Sequence, residues 1–166
     1  TRALELISPS ENNPITINLT AGLFEPATGE MFPLVLPSYI NLLGAGVGEA
    51  TISAENGAGV ILMEDCENVT ISDLTISNGT SVRGGGLAIY DSDIEISNTL
   101  IENNVSSLFG GGMYAWNSDL YLQNVEIGYN EARYGGGVYL RGPFSLNNSY
   151  AIFEDNIHIH DNTAYR

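Results

Sequence analysis

Lysine is missing altogether from these 166 residues. The only basic side chains besides two histidines are Arg2, Arg83, Arg133, Arg141 and Arg166, set against 20 Asp and Glu for a formal net charge of −15. A surface of that sign repels phosphodiester backbones and anionic headgroups, so binding to nucleic acid is excluded, as is adsorption to a membrane through a basic patch. Cysteine is nearly as scarce. Cys66 stands alone, which rules out an internal disulfide, and its place at the end of the largely apolar run 60–66 predicts a small buried side chain rather than a reactive thiol. No run of about 18 apolar residues occurs, so direct insertion of a helix into a membrane is not expected. The start of the chain lacks the charged-then-apolar pattern of a leader, and a leader already removed would leave no trace.

What is present is repetition. Glycine triplets stand at Gly84-Gly85-Gly86, Gly110-Gly111-Gly112 and Gly135-Gly136-Gly137, 26 and then 25 residues apart, with a worn copy at Gly57-Ala58-Gly59. After each triplet comes an apolar pair in alternation (Leu87/Ile89, Met113/Ala115, Val138/Leu140), then a second (Ile94/Ile96, Leu120/Leu122). Asn98 or Asn124 follows, then a third alternating segment (Thr99/Ile101, Val125/Ile127) closed by Asn104 or Asn130. A period of two is strand chemistry, and three short strands between Gly and Asn corners describe one coil of a parallel β-helix. The fold class expected is therefore all-β: a single-stranded parallel solenoid with about three strands per 25–26-residue coil. Inward Ile, Leu and Val would stack into ladders along its axis. Asn98 and Asn124 are the expected members of an Asn ladder, because Asn tolerates the left-handed backbone of a corner and bonds to its own kind above and below.

Residues 1–14 read as an irregular lead-in or cap, and 15–166 as the solenoid. Ile15-Thr16-Ile17 alternates cleanly, Ala21-Gly22-Leu23-Phe24 reads as a turn, and the glycine-rich 44–48 reads as a loop. A dinucleotide fingerprint would need a helix after those glycines, and none is signalled. Near the end, 142–148 reads as an insertion protruding from the last coil. The segment 162–166 aligns with 130–134, so another glycine triplet should come next, and the solenoid is expected to continue beyond 166 or to stack end to end on another subunit.

The sequence Gly-Gly-Gly-apolar-Tyr, followed by Asn-Ser-Asp and an Asn-terminated third strand, resembles the repeats of chlamydial polymorphic outer-membrane protein passengers. It is similar also to parallel β-helix regions of large bacterial secreted and cell-surface proteins. Residues 17–46 resemble the usual lead-in to such a region. Here Leu, Met or Val follows three glycines, where Ala commonly follows two in the chlamydial repeats. The resemblance implies a right-handed solenoid, an extracellular or bacterial cell-surface location, and an adhesive or architectural role.

Three sets of residues are candidates for a site. With Met113 and Ala115 inward, Tyr114 and Trp116 point outward, and together with Tyr90 and Tyr139 they would form an exposed aromatic face suited to sugar rings or another protein. Asp93 and Asp119 share an offset within the repeat and should stack one strand spacing apart, a pair able to share a proton or, with Asp91 and Asn117, hold calcium. Otherwise no cofactor is expected. His158 and His160 lie on one face of a strand in the His-x-His spacing of a transition-metal chelate. Enzymes of this architecture that act on acidic polysaccharides need carboxylates clustered with a Lys or Arg. Only Arg133 and Arg141 are near enough in sequence to approach one another, so a non-catalytic module is expected, with a neutral-sugar hydrolase as the catalytic alternative. Its partners would be another copy of itself, another surface protein or a glycan. The sequons at Asn18, Asn68, Asn78, Asn104 and Asn147 read as by-products of Asn- and Thr-rich coils.

Overall fold

A strand that alternates apolar and polar side chains has one oily face, and a coil of such strands has nothing of its own to cover it, so coils must cover one another. The computed structural model, which describes residues 2–142 and 150–165, is built this way. From 143 onward the insertion expected at 142–148 lies outside the described residues, as do the sequon at Asn147 and Arg166.

Three parallel sheets run along the axis. The post-glycine sheet stacks Leu34–Val35, Ile61–Glu64, Leu87–Tyr90, Met113–Trp116 and Val138–Arg141. A larger, bent sheet stacks Ile15–Asn18, Ile40–Leu43, Val69–Ser77, Asp93–Glu102, Asp119–Gly128 and Ala151–Glu154. Its far arm is completed by Gly22–Phe24, Ala50–Ser53 and His158–His160. A short sheet stacks Thr80–Arg83, Val105–Phe109, Glu131–Tyr134 and Thr163–Ala164.

The coil thus has three sheets, but two of its strands differ from the sequence reading. The expected second and third strands are one element, bent at Asp73 (φ 58°), Asn98 (φ 45°) and Asn124 (φ 52°). One left-handed residue turns the chain without ending the ladder, whose pairing runs from Ser97↔Gln123 directly to Thr99↔Val125. The remaining strand lies between the closing Asn and the next triplet, where only a connection was expected. Its inward positions include the fully buried Ser106 and Ala132. Small side chains there leave no apolar alternation to see. Gly22–Phe24, expected as a turn, is a strand paired with Ala50–Ser53. The lead-in contains a single helical turn, Arg2–Glu5, and Leu4 and Ile7 pack against the core.

The core is a set of columns. Ile17, Leu42, Ile71, Ile96, Leu122 and Phe153 stack in register, and so do Phe24, Ile52, Ile76, Ile101, Ile127 and Ile159. Central members are fully buried, whereas Phe153 and Ile159 in the last described coil are 43% and 49% exposed.

Each glycine of a triplet is required for its own reason. Gly84, Gly110 and Gly135 have φ of 62–63°. A Cβ on Gly111 would lie 2.4 Å from the carbonyl oxygen of Gly136 in the next coil, and one on Gly112 would lie 2.9 Å from the Asn130 carboxamide nitrogen. The triplet and the closing Asn are therefore one packing unit.

Candidate functional site

That packing unit holds a buried Asn column that sequence reading noted only as punctuation. Asn104 and Asn130 are 0% and 1% exposed. Asn130 Nδ2 donates to the Ile101 carbonyl at 2.9 Å and to Asn162 Oδ1 at 3.0 Å, while its Oδ1 accepts from the Asn104 backbone N–H at 2.9 Å and from Asn104 Nδ2 at 3.0 Å. Asn104 repeats the pattern toward Ile76 and Gly79, and Asn162 Nδ2 donates to the Ile127 carbonyl at 2.8 Å. All these polar atoms are satisfied, as burial requires. A glycan on Asn104 would have no room, so that sequon is structural. Asn98 and Asn124 form a second, exposed column, with Asn124 Nδ2 donating to Asn98 Oδ1 at 2.8 Å and Asn98 Nδ2 to Asp73 at 3.2 Å.

Cys66 starts a third column. Its backbone N–H donates to Ser92 Oγ at 2.9 Å, and the Ser92 N–H donates to Ser118 Oγ at 3.2 Å. The thiol is buried, donates to the Leu36 and Glu64 carbonyls, and is pushed upward in pKa chiefly by burial. It is a corner-packing group in the place that serines occupy one and two coils later.

The aromatic residues have the expected parity but not the expected exposure. Met113 and Ala115 are buried inward, and Tyr114 and Trp116 lie on the outer face. Tyr114 has Ala88 and Tyr139 as its partners in the neighbouring coils, and Trp116 has Tyr90 and Arg141. The outer face is concave at the glycine corner, so Phe109 from the short sheet closes over Tyr114 and Tyr139, with ring centroids at 6.3 and 4.5 Å. Tyr90 lies 5.4 Å from Tyr114, and the Arg141 guanidinium sits 4.7 Å over Trp116. Tyr114 is left 4% exposed, its phenol raised in pKa first by burial. Tyr114 is thus withdrawn from the expected exposed face, while Tyr90, Trp116 and Tyr139 remain half-buried around it.

The acidic pair occupies more open ground. Asp93 and Asp119 are Cα partners in adjacent coils, and burial, then the charge of Asp119, raise the Asp93 carboxyl. Asp119 Oδ1 accepts the Tyr150 N–H at 3.1 Å. Asn117 donates its carboxamide to Asp91, so these two are bonded to each other. The pair faces an open groove of about 730 Å³ along the bent sheet, bounded by Tyr39 and Tyr121. The phenols of those tyrosines donate to Glu67 and Glu154, which holds both hydroxyls upward in pKa. Among the described residues no three His, Cys, Asp or Glu side chains converge as a metal site would need. A calcium ion between Asp93 and Asp119 would take its other oxygens from water and backbone carbonyls.

His158 and His160 both face outward. His160 is held by carboxylates on two sides, Nδ1 at 2.9 Å from Asp161 and Nε2 at 3.0 Å from Glu126, and these bonds, Asp161 first, raise its pKa. Its ring lies over Gly128, where a Cβ would meet it at 2.8 Å. Both ring nitrogens are thus engaged by carboxylates, which leaves His158 without a chelating neighbour in His160.

The family model described as right handed beta helix region matches residues 44–165. No curated protein and no solved structure matches the chain.

Proposed function

The chain belongs to the right-handed β-helix family, and from that premise we propose that it is a stiff, non-catalytic spacer or adhesive module of a bacterial secreted or surface protein. The observation that carries this reading is the unbroken register of the inward columns, which makes every coil a support for the next. The repeated geometry of the corners serves the same end, since glycine triplet, buried Asn and Cys/Ser corner all bond coil to coil. Such a rod holds whatever it carries at a fixed distance from its anchor. Partners on this reading are other surface proteins, glycans, or further copies stacked end to end. The test is adhesion: particles coated with the chain should bind bacterial or host cell surfaces, while particles coated with a scrambled or unfolded chain should not. Equal binding by both would end the proposal.

A second reading is a carbohydrate-binding or glycan-active protein, favoured by the groove between Tyr39 and Tyr121 with Asp93 and Asp119 in its floor. It predicts turnover of a neutral glycan, or binding of one, that is lost in Asp119→Asn. A calcium role for the acidic pair would appear as a calcium-dependent rise in melting temperature that Asp119→Asn removes.

A further inference from the structure

Two walls face one another across the concave corner outside the glycine triplets. One is the column Arg83, Phe109, Tyr134; the other is Leu62, Ala88, Tyr114, Tyr139. In the upper coils rings fill the corner, with Phe109 at 4.5 Å from Tyr139 and 5.3 Å from Tyr134, and Tyr114 at 5.9 Å from Tyr139. One coil lower the filling stops. Ala88 stands where Tyr114 and Tyr139 stand above it, and Arg83 stands where Phe109 and Tyr134 do. The result is a notch of about 320 Å³ lined by Leu62, Glu64, Val82, Arg83, Ala88 and Tyr90.

We propose that this notch binds the aromatic side chain of a partner polypeptide at a place where a carboxylate lies beside the ring. The ring is specified by the molecule's own template: the same corner, one coil up, is occupied by phenol and phenyl groups in contact with each other, and aromatic pairs gain beyond their area burial. The carboxylate is specified by Arg83, the cation of a notch whose other charged lining residue is Glu64. Among the described residues Arg83 makes no ion pair, its side-chain neighbour being the Tyr114 ring at 6.0 Å. A guanidinium at a notch rim is a planar fork suited to a carboxylate. A sugar fits less well, because the walls are mostly apolar and the Ser81 hydroxyl already donates to the Arg83 carbonyl, which leaves only Glu64 and Arg83 at the rim for ring hydroxyls. The inference does not depend on the spacer reading, since a groove ligand is compatible with any role for the rod.

The experiment is an amide-shift titration of the folded chain at physiological salt. Four probes separate the ring from the charge: N-acetylphenylalanine, its amide, N-acetylglycine, and a methyl glucoside. N-acetylphenylalanine should move the resonances of Leu62, Arg83, Ala88 and Tyr90. The amide should bind about tenfold more weakly, and N-acetylglycine and the glucoside should leave those resonances in place. Arg83→Gln changes only an exposed side chain and should bring the acid and the amide to equal affinity. Ala88→Tyr should fill the notch with the chain's own ring and abolish binding, without lowering the melting temperature. No shift at those residues with N-acetylphenylalanine, shifts there with the glucoside, or an unchanged acid-to-amide ratio in Arg83→Gln would each overturn the proposal.

Discussion

Two asparagine columns run the length of the repeats, and they do different work. In the exposed column, Asn98 and Asn124 follow Asp73 at a bend where φ is positive, and the carboxamides bond along the surface. In the buried column, Asn104, Asn130 and Asn162 bond inside the corner, each reaching back to a carbonyl and an N–H three residues apart in the preceding coil. The first column is selected for a backbone conformation and the second for a side chain. Asn satisfies both needs, so the two look alike in the sequence and differ only in what replaces them elsewhere. Asp73 substitutes in the exposed column, whereas at the buried position of the earlier coil Gly79 leaves the carboxamide out and its Cβ would strike the Gly85 carbonyl at 1.9 Å.

Substitutions can pull the two columns apart. Asn130→Ala should be the most damaging change, since it strands the Ile101 carbonyl and the Asn104 N–H and removes one bond from each neighbouring carboxamide. At about 1–3 kcal/mol for a buried unsatisfied group, the total loss should be about 4 kcal/mol. That would lower the melting temperature by roughly 10 °C for a chain of this size. Gly112→Ala acts on the same unit from the other side, pressing a methyl group on the Asn130 carboxamide and the Gly137 carbonyl. Calorimetry should show a loss of about 2–3 kcal/mol, and a neutral result would mean that the triplet and the Asn are not coupled. Asn124→Ala should cost only about 1–2 kcal/mol, the penalty of an L-residue in the left-handed region. Here Asn124→Gly should recover most of the loss, while Asn130→Gly should recover none; that difference in rescue is the sharpest distinction between backbone and side-chain need.

Two smaller effects are electrostatic. His160 is raised by Asp161 and Glu126, so its favourable contribution is complete below its ordinary pKa of 6.5 and is lost as pH rises through the higher folded value. The stability gap between the parent and His160→Gln, measured by melting, should therefore be larger near about pH 5.5 than near about pH 8. Asp93 is raised as well, which disfavours its charged form in the folded state at neutral pH. Asp93→Asn should raise the melting temperature slightly near neutrality, the smallest of these effects because the carboxyl is exposed to solvent. The benefit should fade below the ordinary carboxylate value of 3.8, where the parent residue is itself protonated.

The winding was legible because its signals are periodic: inward Ile and Leu alternate by two, and glycine recurs wherever one coil's backbone approaches the next. The short sheet was not legible, because Ser106 and Ala132 point inward and carry no apolar signature. In the sequence the bend at Asn98 looks like a strand end, since a single left-handed residue and a true break have the same composition. The aromatic face was half legible. Parity along Met113–Trp116 follows from alternation, but the cover over Tyr114 comes from Phe109, which is close in sequence yet reached only by folding back across Gly110. Arg83 and Ala88 carry no signal as a pair in the sequence, because what marks them is the ring that each replaces.

The account stands on translation: the neighbour of each side chain is the residue at the same place one coil away. Thr16, Asn41, Thr70, Glu95 and Tyr121 form one such outward column, so spin labels at Thr16 and Tyr121 are four coils apart although 105 residues separate them. Double electron–electron resonance should place them at about 19 Å, four strand spacings of about 4.8 Å, and labels at Asn41 and Tyr121 about one spacing closer. Distances that fail to shorten with coil number, or a separation far beyond that value, would contradict the winding itself.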